Sequence, residues 1–311
     1  MTAYIGVDGK ARKIGSAYIG VDGVARKVKK AYVGVNGVAQ LWWAADMGGG
    51  SAVLEVEKIT SDTYAGSTTY TGEQFILLDI YPKTNGTVSV TYGGLTKTIV
   101  DTSGAAEPNA QQVFFGTLNG VSDSAETPAS GKLTIEGDYY AFGLGLYKHD
   151  KMLSYTCTCV KRVLSFGSVE VIPNSALSSS LKAEGFDGLT GELIIPPTIK
   201  RIGTSSFSYC SALTSVVIKP SEITIGSSAF FVTTVAGSTT TWRTVKMMAK
   251  TPPTLEAITS DDGTIYYNNF GLKDSETGVF PTAIIVPKGC GIAYKAAEGW
   301  SYYADAITEA S

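Results

Sequence analysis

Charge is scarce in this 311-residue chain: Asp, Glu, Lys and Arg make up 17% of it, against roughly a quarter in ordinary soluble domains. It has one histidine, His149, and four cysteines, Cys157, Cys159, Cys210 and Cys290. A single imidazole excludes a multi-histidine metal centre. So sparse a cysteine set is no disulfide framework, and free thiols from a reducing cytoplasm are expected. No apolar run reaches the roughly 18 residues that a membrane-spanning helix needs. After Met1 the apolar residues alternate with glycine and charge instead of forming the core of a secretion signal, so no export is expected.

Glycine is plentiful, with 35 copies, and Ser, Thr and Tyr are common. That composition predicts a mainly β protein with many turns, and the length allows two or three domains. The net charge of −3 is uneven: residues 1–45 carry seven Lys/Arg against two Asp, leaving 18 against 26 for the rest. A basic head can meet nucleic acid. A solvated strand face or an assembly surface is the commoner cause, and no nucleic-acid partner is expected.

The head is "AYIGVDGKARKIGS AYIGVDGVARKVKK AYVGVNGVAQLWWA", one 14-residue unit written three times. Asp-Gly and Asn-Gly accept positive φ at both central turn positions, which predicts two-residue type I′ hairpins. With the turn at Asp22-Gly23, Val21 faces Val24, Gly20 faces Ala25, Ile19 faces Arg26 and Tyr18 faces Lys27. Each apolar stripe is a few side chains wide, too little to offset the ordering of its own backbone. The hairpins are therefore expected to pack on copies of themselves or on another protein. Tyr4, Tyr18, Tyr32, Trp42 and Trp43 are the candidate assembly contacts.

A Gly-rich linker at 46–52 separates this array from residues 53–165, where short strands alternate and predict an antiparallel β-sandwich. "GTVSVTYGGLTKTIV" reads as a hairpin around Gly93-Gly94 with Val88, Val90 and Tyr92 on one face. From 166 to 311 a second repeat appears. Val171–Pro173 matches Ile194–Pro196, with Ile172 to Ile195 a step of 23, and Pro197 to Pro220, Ile202 to Ile225 and Phe207 to Phe230 take the same step. A fixed step of that length predicts a solenoid.

Chemistry is thin. His149-Asp150 has no further histidine and no G-x-S-x-G turn beside it, so no catalytic triad is expected. "CTC" is not the C-x₂-C spacing of a zinc site, and Cys210 and Cys290 are expected as small core side chains. Asp261 and Asp262 could offer oxygen ligands to calcium, yet a structural Asp-Gly turn explains them as well. "GLGLY" and "MGGGS" lack a phosphate-loop Lys-Ser/Thr. No catalytic residue, cofactor or bound metal is expected. Tyr139, Tyr140, Phe142 and Tyr147 follow a strand pattern with a core explanation. Trp242, Tyr266, Tyr267 and Phe270 fall where the 23-residue period breaks, and are the candidate host-binding loop residues.

The motif "IGTSSFSYCSALTSVVI", with Ile202, Gly203, Phe207, Cys210 and Leu213, resembles the BspA-type leucine-rich repeats of bacterial surface proteins. "AIIVPKGCGIAYKAAEGWSYYADAI" is similar to the terminal cap of that family, through Ile285, Pro287, Tyr294, Trp300 and Ile307. The resemblance covers about 166–308 and departs between Phe231 and Pro281. It implies a leucine-rich-repeat solenoid closed by a short capping helix. The hairpin array resembles the openings of bacteriophage tail and fibre proteins. Together these resemblances imply a virion structural protein of the tail-fibre or receptor-binding type. It would assemble in the host cytoplasm, associate with itself as a trimer and with other virion proteins, and bind a bacterial surface glycan or protein. A bacterial cell-surface adhesin, a head fibre or decoration protein, and a tail-borne polysaccharide depolymerase are the alternatives.

Overall fold

The computed structural model describes the backbone of six strands between residues 4 and 44. It also describes residues 50–60, 73–101, 109–118, 120–123, 127–147, 155–156, 159–179, 188–232, 244–272 and 280–311. The chain divides into two compact units, Met1–Gly50 and Ser51–Ser311.

The first unit holds three antiparallel pairs: β1 (Tyr4–Val7) with β2 (Lys10–Lys13), β3 (Ala17–Val21) with β4 (Val24–Val28), and β5 (Lys30–Val35) with β6 (Val38–Ala44). The second pair has the register that an Asp22-Gly23 turn dictates, from Val21 opposite Val24 to Tyr18 opposite Lys27. Each hairpin is its own two-stranded sheet. In the third, Ala31 faces Trp43 while Tyr32 faces Leu41, so Trp42 is the extra residue of a β-bulge. The side chains of Tyr4, Tyr18, Tyr32, Trp42 and Trp43 lie outside the described residues.

The second unit begins with antiparallel sheets. One has the order β11 (Leu95–Val100), β10 (Thr87–Tyr92), β14 (Ser130–Gly137), β7 (Ala52–Glu57), β18 (Val160–Phe166). The other has the order β13 (Val121–Ser122), β12 (Gln111–Leu118), β9 (Gln74–Pro82), β15 (Tyr139–Leu144), with β8 (Ile59–Thr60) also on β9. A short pair, β16 (Leu146–Tyr147) and β17 (Tyr155–Thr156), accompanies them. Alternation sets the buried faces: Val88, Val90 and Tyr92 are buried, and Tyr92 meets Phe115 of the other sheet edge-on at 5.7 Å. The turn between β10 and β11 is Gly93-Gly94 at φ +57° and +80°, a left-handed pair that glycine enters without strain. Ala52 belongs to a strand and not to the linker, since it is buried and its N–H donates to the Tyr139 hydroxyl at 3.0 Å. Tyr140, expected in the core, points outward and is exposed.

Two parallel ladders follow, and the chain visits them alternately. One joins β19 (Val171–Ile172), β21 (Arg201–Ile202), β23 (Thr224–Ile225) and β25 (Thr254–Leu255). The other joins β20 (Gly191–Ile195), β22 (Leu213–Ile218), β24 (Thr244–Met247), β28 (Ala283–Val286) and β29 (Ile307–Glu309). The pairing corrects one sequence match. Ile172 stands beside Ile202 and Ile202 beside Ile225, whereas Ile195 stands beside Ile218. Val171–Pro173 is therefore the counterpart of Arg201–Gly203, and Pro173 takes the place where later turns carry Gly203 and Gly226. Those glycines are demanded by close approach: a Cβ on Gly226 would lie 2.5 Å from the Gly203 carbonyl carbon. The irregular stretch after Phe231 does not interrupt the ladders, because β24 and β25 arise within it. A small hairpin, β26 (Ile258–Thr259) with β27 (Ile265–Tyr266), takes up part of its extra length.

Between the ladders runs a column of rings. Phe207 and Phe230 stack at 5.2 Å and 8°, and Phe230 and Phe270 at 5.6 Å and 6°. Phe270 then meets Trp300 and Tyr303, which close the column. Helix α1 (Gly291–Ala296) and a 3₁₀ turn at Trp300–Tyr303 carry this closure. Its buried polar tips are all satisfied: Tyr294 donates to the Ala249 carbonyl at 2.8 Å, the Trp300 indole N–H to that of Pro253 at 2.7 Å, and the Tyr303 hydroxyl accepts the Phe270 N–H at 3.1 Å. At the other end the antiparallel part covers the ladders. The Leu144 N–H donates to the Ala176 carbonyl at 2.6 Å, and Phe142 stacks on Phe166. One continuous buried cluster runs from Ala52 to Ile307. Among the described residues no helix is long and apolar enough to cross a membrane.

The column makes a quantitative demand. Phe230→Ala should cost about 3–5 kcal/mol in denaturant unfolding of the full chain, while Tyr140→Ala at the exposed position should stay within about 0.5 kcal/mol. Equal, small losses at both sites would mean that the rings do not hold the ladders together.

Candidate functional site

Strand geometry divides each residue run of the second ladder between core and solvent. Leu193, Ile195, Val216, Ile218, Val245, Met247, Ile284 and Val286 are buried. The residues between them face outward, and the pairing aligns Ile194, Val217, Lys246, Ile285 and Thr308 in one row across the sheet. Ile194 is 41% exposed, and Met248, which follows β24, is 51% exposed. Ile194 and Met248 are thus large apolar side chains left in solvent on this sheet, the usual material of a contact surface.

The first strand of this ladder, β20, lies beside β18, the edge strand of the antiparallel sheet. The Thr190 N–H donates to the Lys161 carbonyl at 2.9 Å on one side, and the Lys200 N–H to that of Glu170 at 2.7 Å on the other. Between these two ties the strands part and enclose a slot of about 400 Å³, lined by Arg162, Leu164, Glu192, Ile194, Pro196 and Lys219 among others. Leu164 is 40% exposed. Arg162 lies 3.6 Å from Glu55, and Glu192 accepts from the Ser215 hydroxyl at 3.3 Å.

A wider groove of about 660 Å³ lies along the first ladder, between Pro197, Lys200, Glu222, Ile223, Pro252 and Pro253. Two cations on or beside it are paired within the fold. Lys200 contacts Glu170, and this hydrogen bond and charge hold the Glu170 carboxyl below the usual range. Arg201 grips Glu256 through two nitrogens at 2.7 and 3.1 Å. With these cations paired, Glu222 is the exposed charge left on this groove among the described residues.

The predicted loop residues do not converge. Trp242 lies outside the described residues. Tyr266 is half-buried on the β26–β27 hairpin, beside Ile265 at 63% exposure. Tyr267 lies against Gly299 and donates to the Glu298 carboxylate at 3.1 Å, tying that region to the closing turn. Phe270, proposed as a surface contact, is fully buried in the ring column and belongs to the core. Asp262 accepts hydrogen bonds from the Ser260 hydroxyl and the Thr264 N–H, which lower its carboxyl to about 2; it stabilises the turn of this hairpin.

Among the described residues no group of three or more His, Cys, Asp or Glu is placed to hold a metal ion. His149, Asp150 and Cys157 lie outside them. Cys159 and Cys210 are buried, and burial pushes the Cys159 thiol up to about 12, which leaves it unreactive. Cys290, expected in the core, is half-buried just ahead of α1. No family model matches the chain, and neither a curated protein nor a solved structure matches it.

The outward row escaped sequence reading because "ELIIPP" and "SVVIKP" contain continuous apolar runs, in which an exposed Ile194 or a half-buried Val217 looks like its buried neighbours. The same 23-residue step that pairs Ile195 with Ile218 also pairs Ile194 with Val217. Applied to solvent-facing positions, it would have marked Ile194 and Val217, but not Lys246 or Ile285, which follow at longer steps.

The far end of the sheet offers a pH test. The Glu309 carboxylate accepts the N–H groups of Gly289 and Gly291 at 2.9 and 2.8 Å, and these bonds lower its pKa. A depressed folded-state pKa contributes stability above the ordinary glutamate range, lost as pH falls through the folded value. Glu309→Gln should therefore lower the melting temperature at neutral pH, with the gap to wild type closing as pH falls below about 4. A gap that persists unchanged in acid would contradict this role.

Proposed function

We propose that this chain is a structural protein of a bacteriophage particle, of the tail-fibre or receptor-binding type. In this reading the hairpin unit attaches the chain to the virion, the antiparallel sheets form a sandwich that acts as a spacer, and the two parallel ladders are the coils of a BspA-like leucine-rich-repeat solenoid. The outward face of the second ladder binds the bacterial surface. The protein is not an enzyme, and it works by contact alone.

The observation that carries this reading is the division at Gly50, with three separately paired hairpins on one side and one large, continuously packed body on the other. A lone two-stranded hairpin is marginal in water. Three in a row, each a separate sheet, make sense as assembly elements that complete themselves on a second copy or on another virion protein. The resemblance to fibre proteins makes a trimer the expected copy number. Oligomerisation would present several copies of the same weak face together and raise avidity without any new contact.

The test compares the full chain with a chain that begins at Ser51. The full chain should be oligomeric in light scattering, and the shortened one monomeric and folded. Binding of the full chain to envelopes of the bacterial host should be stronger by about a hundredfold or more. Label raised against the C-terminal residues should then decorate the fibre tips of negatively stained particles. A monomeric full chain, or label confined to bacterial cells without particles, would overturn the proposal.

A further inference from the structure

The slot between β18 and β20 is a break in an otherwise continuous hydrogen-bonded surface. Parity along β20 tells which main-chain groups face it. The Gly191 N–H donates to the Ala212 carbonyl and the Ile195 carbonyl accepts the Lys219 N–H, so residues 191, 193 and 195 are turned toward β22. Thr190 is turned the other way, with its N–H on Lys161. Glu192 and Ile194 share the Thr190 parity, so their N–H and C=O groups point into the slot. No main-chain bond joins residues 162–167 to residues 192–196 among the described residues.

The opposite wall is held back by two β-bulges. Register on β7 slips between Val160 and Arg162 and again between Val163 and Ser165, leaving Lys161 and Leu164 as the extra residues. Lys161 uses its displaced carbonyl to make the single tie to Thr190, and Leu164 lines the slot three residues further on. The result is a free strand edge flanked by the apolar side chains of Leu164, Ile194 and Pro196, with Lys219 exposed at the rim. Among the described residues Lys219 forms no ion pair, whereas Arg162 and Glu192 each have a partner.

We propose that this slot takes an extended polypeptide segment, which adds to the free edge of β20 as a further strand and sets an acidic side chain against Lys219. The proposal rests on the receptor-binding reading above and makes the receptor of this site a protein. An extended backbone is the one ligand that satisfies a row of alternating N–H and C=O groups, and a free edge invites such pairing. Alternate side chains of the segment would reach the Leu164–Ile194 side, with specificity set there. A glycan fits less well, because among the described residues the aromatic side chain of the slot, Phe166, is buried and stacked on Phe142, which leaves little ring face for a sugar.

The test uses amide hydrogen exchange on the full chain. Without ligand, the Glu192 and Ile194 amides should exchange on the order of a hundredfold faster than those of Leu193 and Ile195. A capped hexapeptide alternating valine with threonine, with one central aspartate, should slow the two fast amides by about tenfold or more. Its backbone N-methylated form and maltohexaose should not. Leu164→Glu should abolish this protection, and Ile292→Lys, at an exposed position on α1, should leave it intact. Lys219→Glu should weaken the aspartate peptide by about tenfold and favour the same peptide with lysine, a charge swap that misfolding cannot mimic. The proposal falls if all four amides are protected alike in the free chain, if millimolar peptide protects none of them, if the N-methylated peptide or maltohexaose protects as well, or if the charge swap changes nothing. Host envelopes separate the two levels. Equal binding by wild type and Leu164→Glu would sink the slot and leave the receptor-binding reading standing, whereas no binding by wild type would sink that reading itself.

Discussion

A stack of parallel strands has an apolar cross-section at each end, and water must be kept from both. Most of the second unit can be understood from that need. Inside the stack each turn covers the next, so the rings of Phe207, Phe230 and Phe270 lie nearly parallel. At the far end no further turn arrives, and the chain closes the column with the larger rings of Trp300 and Tyr303. Burying an indole and two phenols costs free energy unless their polar atoms are bonded. Here each finds a backbone partner, so the closing turn is held by geometry as well as by area.

At the near end the cover is a separate β structure, and the fit is less regular. Strand β18 serves two masters: it ends the antiparallel sheet through β7 and starts the approach to β19 and β20. Two bulges bend β18 where these two duties meet. The slot is the residue of that compromise. Its free edge, its apolar lining and its lone lysine are thus consequences of how one β architecture is made to cover another.

Several parts of this arrangement were legible in the sequence. The Gly93-Gly94 turn sets its hairpin register through positive φ, and the register of the second hairpin is the one read from its Asp-Gly dipeptide, local properties that need no knowledge of the rest. Of the five residues singled out only through the resemblance to a terminal cap, Tyr294, Trp300 and Ile307 are buried, while Ile285 and Pro287 are half-buried. Other parts depend on tertiary facts. Pro173 replaces a glycine of the later turns, so the short apolar-proline match pointed to Ile195 when the true neighbour was Ile202. Phe270 sits 40 residues beyond Phe230, outside any fixed step, and only the stacking identifies it as the next ring of the column. The double duty of β18 has no sequence signature at all, because its alternation would suit either sheet.

If the antiparallel sheets and the ladders are mutual covers, neither can open without exposing the other. The direct measurement is calorimetric unfolding of the full chain. Ser51–Ser311 should unfold in a single transition whose calorimetric and van't Hoff enthalpies agree. Two resolved transitions, with one part melting while the other stays folded, would contradict the account.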